Sequence, residues 1–157
     1  MSLKIASWNI NSIRIRLELI QKFTKEFGID ILCLQECKCT NYDMPYQAIK
    51  KMGYEYIYYN GQKGYNGVAI LSKLELREIA SYDFLGRGEA RHICCATNEG
   101  IFIHNFYVPA GGDEPDPIKN IKFDYKLKYL EAMKQKFSEK NLERTIILGD
   151  FNVAPLE

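Results

Sequence analysis

The sequence predicts a layered α/β fold, on three observations. Residues 4–35 read as strand, helix and strand, the pattern of a parallel βαβ unit with a right-handed connection. Short apolar runs then recur between turns marked by Gly and Pro. A long helical pattern near the end leads into a last buried strand. The 157 residues suit a single domain or part of a larger one, and with 46% hydrophobic side chains they can bury a core, which excludes a disordered or low-complexity chain.

The elements follow in order. Lys4 to Trp8 is a short strand. Ile13, Leu17, Ile20, Thr24 and Phe27 recur at helical spacing, with Ser12 as the candidate cap and Gly28 as the stop. Ile29 to Gln35 is nearly continuous in apolar residues, as in a strand covered on both faces. Tyr42 to Met52 reads as a second helix, ended by Gly53. Tyr54 to Tyr59 is a strand, and the Gly-rich segment Asn60-Gly-Gln-Lys-Gly-Tyr-Asn-Gly67 leads into the strand Val68 to Leu71. Its two readings are a hairpin turn and a loop whose amides, with Lys63 and Tyr65, approach a phosphate backbone. Leu76 to Ala80, Arg91 to Ala96 and Ile101 to Tyr107 are further strands. After the turn-rich loop Pro109 to Pro117 comes the long helix, with Phe123, Leu127, Leu130 and Phe137 on one face. Thr145 to Leu148 is the last strand, followed by Gly149-Asp-Phe-Asn152.

Charge and composition narrow the function classes. With 21 Lys and Arg against 20 Asp and Glu, the formal net charge is +1, so the chain does not grip nucleic acid by bulk charge. A local basic surface remains open: Lys119 to Arg144 carries eight basic and four acidic residues, and reads either as a DNA-facing helix or as a solvated polar face. No apolar run approaches the ~20 residues that span a bilayer. The N-terminal stretch lacks the apolar core of a signal peptide, so a soluble cytoplasmic protein without a membrane partner is expected. The five cysteines are odd in number and two are adjacent, which suits reduced, mostly buried thiols. Cys37-Lys-Cys39 does not have zinc spacing.

The chemistry-bearing residues fall at strand ends. In open α/β sheets, function collects beyond the carboxyl ends of the strands. Asn9 and Asn11 follow the first strand, Glu36 ends the second, Tyr107 closes the penultimate one, and Asp150 and Asn152 follow the last. Each has an ordinary alternative as a solvated terminus, a turn former, a cap or a packed aromatic. Their joint occurrence points instead to one oxygen-lined rim. Such hard donors, with little histidine, suit Mg²⁺ or Mn²⁺. His92 and His104 lie inside strand patterns and read as packed or partly exposed strand residues rather than catalytic bases.

Five motifs, Ser7-Trp-Asn-Ile-Asn-Ser-Ile-Arg14, Leu34-Gln-Glu-Cys-Lys38, Tyr65-Asn-Gly-Val-Ala-Ile-Leu-Ser-Lys73, Tyr107-Val-Pro-Ala-Gly-Gly112 and Gly149-Asp-Phe-Asn152, together resemble the exodeoxyribonuclease III family of abasic-site endonucleases. That family sits in the wider endonuclease/exonuclease/phosphatase superfamily. The resemblance implies a four-layer α/β sandwich, and a Mg²⁺-dependent (or Mn²⁺-dependent) DNA-repair hydrolase. Its substrate would be double-stranded DNA, cut on the 5′ side of abasic sites and trimmed from 3′ ends. It implies Glu36 as principal metal ligand supported by Asn9, and Asp150 and Asn152 as further members of the metal set. Asp150 would also orient or deprotonate the attacking water, with Asn152 and Tyr107 on the scissile phosphate. Asn11, Arg14, Lys38, Tyr65 and Asn66 would lie near the DNA.

The family's late Asp-His pair has no match in residues 1–157. The expectation is therefore a single incomplete domain: half of the sandwich, a mixed β-sheet flanked by helices, with the second sheet missing. Such a unit would be catalytically incomplete and would self-associate through the exposed inner sheet face. The alternatives are a non-catalytic DNA-binding or assembly module, and a superfamily phosphatase acting on inositol or lipid phosphates.

Overall fold

The computed structural model describes residues 3–138 and 142–153. Its strands are β1 (Ile5–Asn9), β2 (Ile31–Gln35), β3 (Tyr56–Asn60), β4 (Val68–Ser72), β5 (Arg77–Ala80), β6 (His92–Ala96), β7 (Phe102–Tyr107) and β8 (Thr145–Asp150). Its helices are α1 (Leu17–Phe27), α2 (Tyr46–Lys51) and α3 (Ile121–Ser138). The strands form two four-stranded sheets, in the orders β1-β2-β4-β3 and β5-β6-β7-β8. Each sheet is mixed: β1 runs parallel to β2 and β7 parallel to β8, while the other pairs are antiparallel.

The second sheet corrects the expectation that it is missing. The strand alternation explains why both sheets must be present. In β2, Leu32 and Leu34 point outward into a cluster with Ile20 of α1 and Ile49 of α2, while Ile31 and Cys33 point inward. In β4, Ala69 and Leu71 join the outer cluster and Val68 and Ile70 the inner one. The inner residues meet Ile93, Cys95 and Ile103 of the second sheet. On that sheet's far side, Phe106 packs on Tyr129, Met133 and Phe137 of α3. The order helices, sheet, sheet, helix gives four layers and three apolar interfaces. The inner face on which self-association was expected is thus buried within the chain.

Local details differ from the sequence reading in three places. Ser12 does not cap α1: it has φ 84 and no capping bond, and Ile13–Ile15 form a separate 3₁₀ turn ahead of the helix. The second helix begins at Tyr46 rather than Tyr42, because Pro45 cannot sit inside it. The buried face of α3 is Lys126, Tyr129, Met133 and Phe137, with Leu127 at 41% exposure. The i, i+4 ridge from Tyr129 to Phe137 sets that face, and Leu127 lies off it. The stop at Gly28 does hold, with φ 64 and its amide bonded to Thr24 O. All five cysteines are buried.

Candidate metal and phosphate site at the sheet rim

Parallel pairing aligns strand ends. Asn9 lies opposite Gln35 on β1 and β2, and Tyr107 opposite Asp150 on β7 and β8. Because the two sheets stack face to face, the carboxyl ends of these four strands share one rim. Two buried amides hold the sheets in this relation. Gln35 Nε2 donates to Asn105 Oδ1 at 2.7 Å, and Asn105 Nδ2 donates to the carbonyls of Leu34 and Ala69, each at 2.9 Å. Asn105 points into the inter-sheet core like Ile103 and Tyr107, two residues away on either side. The amide bridge therefore locks the strand ends that carry Glu36 and Tyr107.

The rim is built around Asn9. Its Nδ2 donates to Glu36 Oε1 at 2.8 Å and to Asp150 Oδ2 at 2.7 Å. Its Oδ1 accepts from the Asn11 amide at 3.1 Å. Lys38 Nζ pairs with Glu36 Oε2 at 2.8 Å and reaches Asn11 Oδ1 at 2.6 Å. Tyr107 donates its phenol to Glu36. Asn152 turns back on the same loop: its amide donates to Asp150 Oδ1 at 3.0 Å and its Nδ2 to Val108 O at 2.8 Å.

The electrostatics follow from these contacts. Partial burial pushes the Glu36 carboxyl up, but hydrogen bonds from Asn9, Lys38 and Tyr107 and the Lys38 charge outweigh it, so the group lies below the ordinary carboxylate range. Burial first, and the carboxylate of Glu36 second, push the Tyr107 phenol up to about 12. Tyr107 is therefore a neutral donor across the physiological range. The Arg91 guanidinium lies 4.9 Å over its ring and donates to its carbonyl at 3.3 Å. Arg91 is in turn held by Glu89 at 2.7 Å, which Tyr125 also contacts.

Backbone strain concentrates here. Among the described residues, the non-glycine residues with positive φ are Asn11, Ser12, Glu36, Lys38, Asn66 and Asn152, and all six lie at this end of the strands. Such conformations persist where the surroundings over-determine them, and they cluster at functional sites.

Of the sequence-derived candidates, Asn9, Asn11, Glu36, Lys38, Tyr107, Asp150 and Asn152 come together. Tyr65 is 71% exposed on the β3–β4 connection, and Arg14 is exposed within the 3₁₀ turn. The Asn66 side chain is buried and bonds Gln62 within its own loop, while its carbonyl accepts from the Lys38 amide. The Gly-rich segment is thus a hairpin connection, since β3 and β4 pair antiparallel, and it also buttresses Lys38. His92 and His104 are packed residues as expected, hydrogen-bonded to each other on the α3 side of the second sheet.

Sequence reasoning missed Gln35, Asn105, Arg91, Glu89 and Lys126. For Asn105 the signal was available, as a polar residue at an inward position of an apolar strand. Lys126 was hidden in a charge-rich helix. A cleft of about 920 Å³ between Leu3, Leu74, Leu76 and Ile101 lies at the opposite end of the strands and shares no residue with the rim.

The donor set fits a hard divalent cation. Two carboxylates, one after β2 and one at the end of β8, converge on one amide nitrogen, with amide and phenol groups and the Lys38 ammonium beside them. Among the described residues no group of three or more His, Cys, Asp and Glu gathers, so the rim offers two carboxylates completed by amide oxygens. Also among the described residues, no helix is long and apolar enough to cross a membrane.

Comparison with known proteins agrees with the architecture. Exodeoxyribonuclease III of Haemophilus influenzae is 29% identical over 98% of this chain and 58% of its own length. An exodeoxyribonuclease of Bacillus subtilis is 29% identical over 99% of this chain and 60% of its own. Among solved structures, an AP endonuclease from Archaeoglobus fulgidus superposes with a TM-score of 0.87 at 37% identity, covering 99% of this chain and 59% of that one. A 3′ phosphatase from Neisseria, bound to a product DNA hairpin, gives a TM-score of 0.84 at 30% identity, with 99% and 60% covered. The chain thus spans about six-tenths of the length of these relatives. The family model described as Endonuclease/Exonuclease/phosphatase family matches residues 6–157. With the two mixed sheets and the rim already in view, this match shows that the chain belongs to the endonuclease/exonuclease/phosphatase family.

Proposed function

We propose that the protein is a Mg²⁺- or Mn²⁺-dependent DNA-repair phosphodiesterase that cuts on the 5′ side of an abasic sugar and trims 3′ ends of duplex DNA. The observation that carries this reading is the convergence of Glu36 and Asp150 on Asn9 Nδ2. Mg²⁺ characteristically takes one or two carboxylates and keeps several waters, which suits a set of this size. Glu36 and Asp150 would hold the cation, joined by Asn152 and by Asn9 once its amide turns to present Oδ1. When bound, such a cation stabilises charge developing on a phosphoryl oxygen.

The chain's own residues supply the rest. Asp150 orients the attacking water and takes its proton. Asn152 Nδ2 exchanges the Val108 carbonyl for the scissile phosphate, and the neutral Tyr107 phenol donates to the same group. Lys38, Asn11, Arg14, Tyr65 and Asn66 flank the path of the DNA. The DNA-bound Neisseria neighbour supports a nucleic-acid substrate over an inositol or lipid phosphate.

The test is incubation of the chain with a duplex carrying one abasic site, with Mg²⁺, with EDTA, and with an inositol phosphate replacing the DNA. The expected result is a Mg²⁺-dependent nick 5′ of the abasic sugar. It should be slower by ~10²–10⁴ than in an enzyme with a positioned acid–base pair, because among the described residues no histidine reaches the rim. Duplex binding without any nick assigns the chain to the non-catalytic binding modules. Phosphate release from the inositol phosphate, with DNA intact, assigns it to the phosphatases.

A further inference from the structure

Lys126 is a lysine of α3 with only 6% of its surface exposed. A buried ammonium is costly unless its donors are satisfied. Here they are satisfied by backbone: Nζ donates to the carbonyls of Asn152 and, at 3.5 Å, Phe151. These carbonyls belong to the turn that carries Asp150 and Asn152. Among the described residues Lys126 forms no direct ion pair, and the Asp150 charge faces it from the same turn. Its position is made possible by Gly111 of the loop after β7, where a Cβ would stand 3.1 Å from Lys126 Cδ and 2.9 Å from Phe123 Cδ2. Gly111 has an ordinary φ, so what glycine provides at this position is space.

The turn needs a restraint. Asn152 adopts φ 50, a left-handed turn conformation that Asn tolerates better than other non-glycine residues but that still gains from an outside tie. Its side chain and amide are tied to Val108 O and Asp150 Oδ1, and the Val108 amide is tied to Asp150 O at 2.9 Å. These three ties lie within the turn and the segment after β7, and Asn9 Nδ2 of β1 holds the Asp150 side chain at 2.7 Å, so the Phe151 and Asn152 carbonyls are what Lys126 restrains from outside. Lys126 is the one cation that reaches this turn from a separate element, among the described residues.

We propose that Lys126, passing beneath Gly111, is a positioning residue: it clamps the Phe151 and Asn152 carbonyls and so aims Asp150 and Asn152 at the phosphate. This rests on the nuclease reading for its consequence, though not for its geometry. A charged helix residue thereby links two sequence motifs, Tyr107-Val-Pro-Ala-Gly-Gly112 and Gly149-Asp-Phe-Asn152.

The experiment compares Lys126→Met, which keeps the stem and removes the donors, with Lys126→Arg, which restores them. Amide hydrogen exchange is read by NMR on the chain itself. In Lys126→Met, the Val108 amide exchanges at least ~10-fold faster and the Asn152 side-chain amide signals shift, while Ile93 and Ile103 in the sheet core stay protected. Lys126→Arg returns Val108 to within about threefold of the parent rate. Unchanged Val108 exchange and Asn152 signals in Lys126→Met overturn the proposal. Should Lys126→Met fail to fold, Gly111→Ala decides: it keeps the charge but crowds the stem and so draws Nζ off the two carbonyls, and an unchanged turn there also overturns the proposal. In Mg²⁺-dependent nicking of an abasic duplex, Lys126→Met lowers kcat about tenfold with KM unchanged, and Lys126→Arg recovers it. Absence of nicking by the parent chain counts against the nuclease reading alone, because the exchange data stand without it.

Discussion

Glu36→Ala is expected to weaken Mn²⁺ or Mg²⁺ binding by at least ~100-fold and to remove metal-dependent cleavage with it. Loss even of a group that supports a metal ligand costs ~10–100-fold in affinity, and Glu36 would be a ligand itself. The substitution also strips Asn9, Lys38 and Tyr107 of a shared acceptor. That has a second readout which needs no metal. The Tyr107 phenol stands at about 12 through burial and then through the Glu36 carboxylate. Without that carboxylate it must titrate lower, toward the ordinary value of ~10, as an ultraviolet pH titration would record. Stability should change little, since Glu36 sits at a partly exposed loop position. Metal affinity equal to that of the parent would remove Glu36 from the site.

Gly149→Ala is expected to have the largest effect on folding. Gly149 lies opposite Phe106 in the parallel β7–β8 ladder and has φ +138. A Cβ there would stand 2.0 Å from Phe106 O and 2.7 Å from Phe106 N, backbone atoms of a fully buried residue. Neither strand can yield without breaking the pairing that places Asp150 beside Tyr107. The expected loss exceeds ~4 kcal/mol, the range reserved for severe backbone and core disruption. That is a large part of the ~5–15 kcal/mol that stabilises an ordinary domain. Gly64→Ala is the control: Gly64 also has positive φ, at +76, but nothing stands within 4 Å of its Cβ position. Urea unfolding should separate the two, with Gly64→Ala losing only about 1 kcal/mol. Equal midpoints would contradict the β7–β8 register.

Much of this arrangement was legible in the residues. Apolar runs between turns marked β2, β4 and β7, and the polar residues at strand ends gave Asn9, Glu36, Tyr107, Asp150 and Asn152. The number of sheets was not legible. An apolar strand covered on both faces looks the same whether its cover is a helix or another sheet, so the strands after Leu76 did not declare themselves as a separate layer. The cap at Ser12 failed because the backbone there turns to φ 84 to bring the Ser12 amide onto Glu36 O, at 2.7 Å. That is a tertiary demand, outside local propensity. Asn105 and Lys126 escaped for a related reason: each is a polar residue in an element whose other members define its type, and its partners lie far away in sequence. Lys126 in particular shares its helix with many lysines that face solvent, and only packing tells it apart.

The central claim is that side chains from β1, the end of β2 and the end of β8 surround one divalent cation. The most direct measurement is anomalous diffraction from crystals of this chain grown with Mn²⁺. One manganese peak is expected within coordination distance of carboxylate oxygens from both Glu36 and Asp150. A peak that touches neither carboxylate, or none at saturating manganese, would contradict it.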